Sequence, residues 1–285
     1  MVMAEAEGFF AYDRFTGGKA AEHWHGLVSM AYPCLQHLDM LGQVSALVQR
    51  SMANRLLQVS LLDAVEFCSG KAELTKAFIR HQLRTACFDL LYRPEHDMLS
   101  QAGVRLFLDA VAATRRKGLN WWGTTCSSFV SLCVAVSQRF AWNDFLGNTQ
   151  RPFVEEGNCQ VEVMSLAMFV ALLTDVFCIL EQPCNSVMPK VGSLKRVLEY
   201  FGMEKLQTWH GAFGGPSPKP LQLWHAKGLN LQSLRRDKPS HLSSDLVSHG
   251  DGGSYTGIKP NLVQSAHYTR EFREAVATCF DLTVL

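Results

Sequence analysis

The sequence predicts an α/β fold with a mostly parallel sheet, and three observations carry that prediction. A short apolar strand over residues 64–68 breaks at Ser69-Gly70 and runs directly into an amphipathic helix, as in the first β-turn-α unit of a nucleotide-type sheet. Strands then alternate with helices of about 10–15 residues, the pattern of parallel βαβ units. Two late strands are joined by the turn-rich segment 214–218, which predicts an antiparallel hairpin at the sheet edge. Together these features predict a Rossmann-like sheet with helices on both faces.

Each element follows from the local pattern of the chain. Apolar residues recur at helical spacing before the first strand, so an N-terminal helical extension is expected over residues 1–60, with a break at Pro33. The sheet is expected to form one domain over residues 61–285, with a polar loop insert near 230–262. The elements expected in that domain are, in order, strand 64–68, helix 72–83, strand 85–91, helix 101–117, strand 119–124, helices 127–138 and 161–175, strand 176–181, helix 192–202, strands 207–212 and 221–225, and a last helix over 266–277.

Composition and charge leave most classes of partner open. The 285 residues are 47% hydrophobic and 19% charged, as in ordinary globular domains, and the net charge is +1. The charge is uneven, because residues 190–238 hold nine Lys or Arg against three Asp or Glu. This basic stretch predicts either a solvated face or a surface for nucleic acid.

The nine cysteines indicate an intracellular protein. Their number is odd and no Cys-x-x-Cys pair occurs, which favours free thiols in the reducing nucleus or cytoplasm. The first residues lack the basic-then-apolar order of a secretory signal. The longest apolar run, 161–180, is interrupted by Glu162 and Asp175, so we expect a buried helix running into a strand and no membrane contact. No cluster of metal ligands is evident, and no metal is expected.

Reactive side chains are expected at the carboxyl ends of the strands, where open α/β sheets bind ligands. Glu66 lies in the first strand, and Gly70 lies in the turn after it, beside the free N–H groups of the next helix. Asp89 follows nineteen residues after Gly70, at the distance where such folds bind the hydroxyls of a ribose. Cys126 and Glu181 end two later strands, where a thiolate could attack an electrophile that the carboxyl group hydrogen-bonds or protonates.

Simpler interpretations of the same residues remain open. Cys126 is also compatible with a small packed residue at a strand end, and Asp89 with a loop hydrogen bond. The run Ser69-Gly70-Lys71 is not a phosphate loop, because the upstream glycine and the Ser or Thr after the lysine are missing. No Gly-x-Ser-x-Gly occurs, which argues against an α/β-hydrolase.

The order of these segments resembles the C5-cytosine methyltransferase family, most closely its short, divergent members without a large target-recognition domain. The resemblance spans residues 61–280. It rests on the acid-bearing strand with Ser69-Gly70, the acid of the second strand, the strand end Cys126-Ser127-Ser128-Phe129, and the later run Glu181-Gln182-Pro183.

The resemblance implies S-adenosylmethionine as cofactor and cytosine in DNA or RNA as substrate. Cys126 would be the nucleophile that adds to C6 of a flipped cytosine, and Glu181 would contact N3 of the base. The segment beginning at Tyr268 would open a helix that returns to the cofactor. The cofactor would be bound by Glu66, Cys68, Ser69, Gly70, Asp89 and Asp97, with Asp97 near the adenine.

Departures from the family pattern keep three functions open. Ala72 replaces a glycine of the first motif, Thr125 replaces the proline before the cysteine, and Gln182 replaces an asparagine. The first function is cytosine methylation. The second is a non-catalytic binding or scaffold protein with the same fold, and the third is methylation of a small molecule or a protein. The oligomeric state and the methyl acceptor are not predicted.

Overall fold

A computed structural model describes residues 62–240, 247–249, 255–257 and 267–284. Its centre is a six-stranded sheet with the order β2-β1-β3-β4-β6-β5. The strands are β1 (Leu62–Phe67), β2 (Thr85–Phe88), β3 (Thr114–Trp122), β4 (Phe177–Pro183), β5 (Glu204–Trp209) and β6 (Pro220–His225). Strands β2, β1, β3 and β4 pair in parallel, whereas β6 runs antiparallel to both β4 and β5. The predicted α/β fold with a mostly parallel sheet and an antiparallel edge hairpin is confirmed.

Helices cover both faces of the sheet. They are α1 (Glu73–Arg80), α2 (Gln101–Ala113), the single-turn α3 (Val134–Ser137), α4 (Pro152–Leu173), α5 (Gly192–Tyr200) and α6 (Arg270–Val284). Side chains of α2, α4 and α5 form one apolar core, and side chains of α1 and α6 form a second. Neighbouring residues of β3 divide between these cores: Trp122 belongs to the first and Trp121 to the second, and both are fully buried. This alternation is the period-2 pattern of a strand that is buried on both sides.

The structure shifts several predicted boundaries. The helix expected over 101–117 ends at Ala113, because Thr114 begins β3 and donates its hydroxyl to both Ala110 O and Asn120 Oδ1. Strand β2 ends at Phe88, so Asp89 lies just after it. The helix expected over 127–138 is reduced to a 3₁₀ turn and α3.

The chain around the predicted insert is only partly described. A 3₁₀ turn forms at Gln232–Leu234, and β7 (Val247–His249) pairs with β8 (Tyr255–Gly257) in a separate antiparallel hairpin. The N-terminal helical extension expected over 1–60 lies outside the described residues. The last helix begins at Arg270, four residues later than expected, and ends at Val284.

Candidate functional site

The carboxyl ends of β1 to β4 form one edge of the sheet, called here the carboxyl edge. Phe67 of β1 pairs with Phe88 of β2 and with Trp122 of β3, and Trp122 in turn pairs with Leu180 of β4. All predicted site residues except Asp97 lie within this row of strand ends or directly after it. The carboxyl edge therefore carries the turn after β1, the residue after β2, the loop after β3 and the end of β4.

The turn after β1 approaches the end of β2 through a short hydrogen bond. The main-chain N–H of Gly70 donates to Asp89 Oδ2 at 2.7 Å, and the N–H of Leu91 donates to Asp89 Oδ1 at 2.9 Å. The backbone of the turn alternates through the left-handed region, with φ of 55° at Cys68, 53° at Gly70 and 52° at Ala72. A Cβ placed on Gly70 would meet no atom within 4 Å. The predicted glycine and acid are thus adjacent, and open space lies beside the glycine.

Glu66 is held beneath that turn. Its Oε2 accepts hydrogen bonds from both the main-chain N–H and the hydroxyl of Thr75, each at 2.7 Å. The side chain is 1% exposed, and burial raises its pKa to about 7 despite these bonds. Its Oε1 is buried without a hydrogen-bond partner among the described residues. Glu66 therefore binds the first turn of α1, close to the N–H groups that the sequence assigned to a cofactor.

The remaining predicted cofactor residues lie around the same turn. Ser69 is buried, and the thiol of Cys68 lies 3.9 Å from the sulfur of Met98. Burial raises the pKa of Cys68 to about 12, so this thiol stays neutral. Asp97 precedes Met98, and its Oδ1 accepts from the N–H of Leu99 at 2.9 Å, which shapes the loop before α2.

Cys126 lies half-buried in the loop after β3. Burial raises the pKa of its thiol, and the negative charge of Glu181 raises it further, while the positive charge of Lys219 acts in the opposite direction. Lys219 directly precedes β6, which begins at the carboxyl edge because it runs antiparallel to β4. Glu181 and Lys219 therefore both act on Cys126, and the free protein holds Cys126 as the thiol.

Gln182 links the two strand ends that carry Cys126 and Glu181. Its side chain is fully buried; Nε2 donates to Thr124 O at 3.0 Å, and Oε1 accepts from the hydroxyl of Ser186 at 2.9 Å. An amide can donate and accept at once, which a carboxylate or an alkyl group cannot do. Gln182 consequently fixes the end of β3 against the end of β4.

Sequence reasoning missed the side chain that orients Glu181. Tyr268, just before α6, donates its hydroxyl proton to Glu181 Oε2 at 2.9 Å, and its oxygen accepts from Trp121 Nε1 at 3.1 Å. The resemblance implied that the segment beginning at Tyr268 opens a helix that returns to the site. It did not indicate a contact with Glu181, because a tyrosine 87 residues away carries no local signal.

Sequence reasoning also missed Arg139, which organises the loop after Cys126. Its side chain is 2% exposed, and its carbon Cζ lies 3.8 Å from the centre of the Phe129 ring. Burial lowers its pKa to about 10. The guanidinium donates to Ser128 O, Ser128 Oγ, Phe145 O, Leu146 O, Val154 O and Asn158 Oδ1, at 2.7 to 3.1 Å. These partners are mostly main-chain carbonyls, whose positions no sequence motif reveals.

The basic stretch 190–238 is partly engaged with the protein itself. Lys195 and Arg236 form ion pairs with Glu199 and Glu271, and Lys205 and Lys238 lie over the rings of Trp224 and Trp209. Exposed apolar side chains are instead concentrated near the carboxyl edge, in residues 90–92 and 132–146. Within the second segment Phe140 and Trp142 stack on each other, and Trp142 is 80% exposed.

Comparison with known proteins does not assign the chain to a family. No protein-family model matches the chain, and no curated protein matches it. None of the helices in the described part of the chain is long and apolar enough to cross a membrane.

Proposed function

We propose that this protein is an S-adenosylmethionine-dependent methyltransferase that acts on cytosine in nucleic acid, with Cys126 as nucleophile and Glu181 as its acidic partner. The observation that carries the proposal is the 2.7 Å hydrogen bond from Gly70 N–H to Asp89, which joins the glycine turn to the acid of the second strand. The same edge of the sheet carries the thiol and the carboxylate. A binding turn beside a reactive pair is what a group-transfer site requires.

The residues around Gly70 suit an adenosyl group. Each oxygen of Asp89 accepts one main-chain hydrogen bond, so each keeps a lone pair for a ribose hydroxyl. The space beside Gly70 admits a ligand against the backbone. When bound, S-adenosylmethionine supplies a methyl group on a positively charged sulfur. The carboxylate of Asp89 complements that class of ligand by charge and by hydrogen bonding, whereas the buried Glu66 supports the turn from beneath through Thr75.

The reactive pair would act on the pyrimidine ring by addition. The Cys126 thiol loses its proton to solvent, aided by the charge of Lys219, and its sulfur forms a bond to C6. The ring electrons displaced by this bond move to N3, which takes a proton from Glu181. C5 becomes nucleophilic as a result. At the end of the reaction solvent takes the proton on C5, and N3 returns its proton to Glu181. The electrons of the C5–H bond form the C5–C6 double bond, so the sulfur–C6 bond breaks and the thiolate is released.

Two features support nucleic acid as the substrate. A base must leave its stack to reach a nucleophile at the sheet edge. The stacked rings of Phe140 and Trp142 lie on the segment that follows Cys126 and offer an exposed aromatic face for an unpaired base. The excess of cations in residues 190–238 gives a second, weaker support, because only part of it is engaged within the protein.

Cofactor binding is the first test of the proposal. Calorimetry with S-adenosylhomocysteine is expected to detect binding that Asp89→Ala and Gly70→Val each weaken at least tenfold, since one removes the ribose acceptor and the other fills the space beside the turn. Gly202→Val is the matched control for strain, because Gly202 has a similar φ of 55° and lies before β5 at the opposite edge. Asp175→Ala is the matched loss of a carboxylate at that edge. Absence of binding to the wild-type protein at millimolar ligand removes the proposal.

Covalent catalysis is tested with an oligonucleotide that contains 5-fluorocytosine, since fluorine cannot leave C5 as a proton does. With cofactor present, the wild-type protein is expected to form a complex that survives denaturing electrophoresis, and Cys126→Ser to form none. Cys184→Ser, which removes another half-buried thiol, is expected to behave as the wild type. If the chain binds cofactor but transfers no methyl group to DNA or RNA, the raised pKa of Cys126 favours the non-catalytic binding protein instead.

A further inference from the structure

The hydrogen bonds among Trp121, Tyr268 and Glu181 have a fixed direction. An indole N–H can only donate, so the oxygen of Tyr268 must accept from Trp121 Nε1, at 3.1 Å. The single hydroxyl proton of Tyr268 is then left to donate to Glu181 Oε2, at 2.9 Å. A proton on Glu181 Oε2 would displace the tyrosine proton from this acceptor. The arrangement thus makes Oε2 an acceptor and leaves Oε1 as the oxygen that can carry a proton.

The tyrosine is held in place by packing on several sides. Its ring meets Trp121 edge-on at 5.8 Å and packs against Phe272 of α6 at 5.2 Å. Its hydroxyl lies so close to the end of β3 that a Cβ added to Gly123 would come within 3.3 Å of it. Burial raises the pKa of Tyr268 well above its ordinary value, and the charge of Glu181 raises it further. The hydroxyl therefore remains a proton donor throughout the neutral range.

We infer that Tyr268 is a positioning residue that, with Trp121, reserves Oε1 of Glu181 for the substrate. This inference rests on the proposed function, and it states how Glu181 performs its part. A carboxyl group with both oxygens free can contact a ring nitrogen and a neighbouring amino group together. With Oε2 already bonded to Tyr268, Glu181 presents mainly one oxygen, so it delivers its proton from Oε1 to a single ring nitrogen.

Other titratable groups face Glu181 and must be separated from the effect of Tyr268. The charge of Glu181 raises the pKa of the thiols of Cys126 and Cys184, and Lys219 and Lys205 act on these thiols with the opposite sign. These four interactions act at a distance through charge. In the described part of the chain, the Glu181 carboxylate accepts its hydrogen bond from Tyr268, so removing this hydroxyl changes the bond without changing any formal charge.

The test compares Tyr268→Phe with the wild-type protein by ¹³C NMR of glutamate labelled at the side-chain carboxyl carbon. Glu181→Gln identifies the Glu181 signal by its disappearance. In Tyr268→Phe this signal is expected to move to a different chemical shift at constant pH, because Glu181 Oε2 loses the hydrogen bond that it accepts from the hydroxyl. Tyr200→Phe removes a hydroxyl at the end of α5 and is expected to leave the Glu181 signal in place. The phenylalanine keeps the ring contacts of Tyr268, so the variant is expected to fold.

Kinetics supply the second measurement. Tyr268→Phe is expected to lower kcat for methyl transfer about tenfold and to leave the dissociation constant of S-adenosylhomocysteine unchanged, as expected of a residue that orients a proton donor. A Glu181 signal that keeps its chemical shift in Tyr268→Phe overturns the inference, whatever the activity. A wild-type protein that transfers no methyl group overturns the proposed function, while the NMR comparison still decides the role of Tyr268.

Discussion

Two neighbouring regions of the carboxyl edge are organised by opposite charges. In the turn after β1, carboxylates accept hydrogen bonds from main-chain N–H groups: Glu66 from Thr75, and Asp89 from Gly70. In the loop after β3, the guanidinium of Arg139 donates to main-chain carbonyl groups. The first arrangement leaves a lone pair on each oxygen of Asp89, whereas the second uses its charge within the protein. On the proposed function the first region would bind the cofactor, and the second holds the loop after Cys126 in shape.

The largest expected effect comes from removing the centre of the second region. Arg139→Met leaves several buried carbonyl groups without donors, and we expect a loss of about 3–5 kcal/mol in the free energy of unfolding, measured with urea. Arg139→Lys keeps the charge but not the planar fork of donors, so an intermediate loss is expected. Arg151→Met, at an exposed position before α4, is the control and is expected to change stability by less than about 0.5 kcal/mol.

A second measurement ties that loss of stability to the reactive loop. At denaturant concentrations where Arg139→Lys remains folded, Cys126 is expected to react faster with iodoacetamide than in the wild-type protein, because Ser128 and Phe129 lose their anchor. Binding of S-adenosylhomocysteine is expected to persist, since the turn after β1 does not depend on Arg139. If Arg139→Lys both exposes Cys126 to iodoacetamide and weakens binding of S-adenosylhomocysteine to a similar degree, the two regions are not independent.

The contrast between these regions also explains what the sequence could predict. The acids of the first region lie in or next to strands, within about twenty residues of the glycine, so spacing alone located Gly70 and Asp89. Alternation of strands and helices predicted the sheet, and the turn-rich segment 214–218 predicted its edge hairpin. Arg139 and Tyr268 act through partners that only the folded chain brings close, namely carbonyl groups of a loop and a carboxylate from another strand. Nothing in their local sequence distinguishes them from surface residues.

A smaller effect should separate the two regions by pH, because the first contains Glu66, whose pKa lies near neutrality. Burial raises the pKa of Glu66 to about 7 in the folded protein, above its ordinary value of 4.5. Between these values the folded protein binds the proton more tightly than the unfolded chain does. The free energy of unfolding is therefore expected to fall as the pH rises from about 4.5 to about 7, by at most about 3 kcal/mol.

Glu66→Gln isolates this contribution, because glutamine can still accept from Thr75 and does not ionise. Urea unfolding at intervals between pH 4.5 and pH 8 is expected to show a shallower decline in the variant, which becomes more stable than the wild type above neutrality. Burial also raises the pKa of Glu162 to about 7, between α4 and α5, so Glu162→Gln should remove a separate part of the decline. If Glu66→Gln shows the same slope as the wild type, Glu66 is ionised in the folded protein at neutral pH. The turn after β1 would then hold the charge of Glu66 beside Asp89, and the proposed cofactor, whose sulfur is positively charged, would be favoured more strongly.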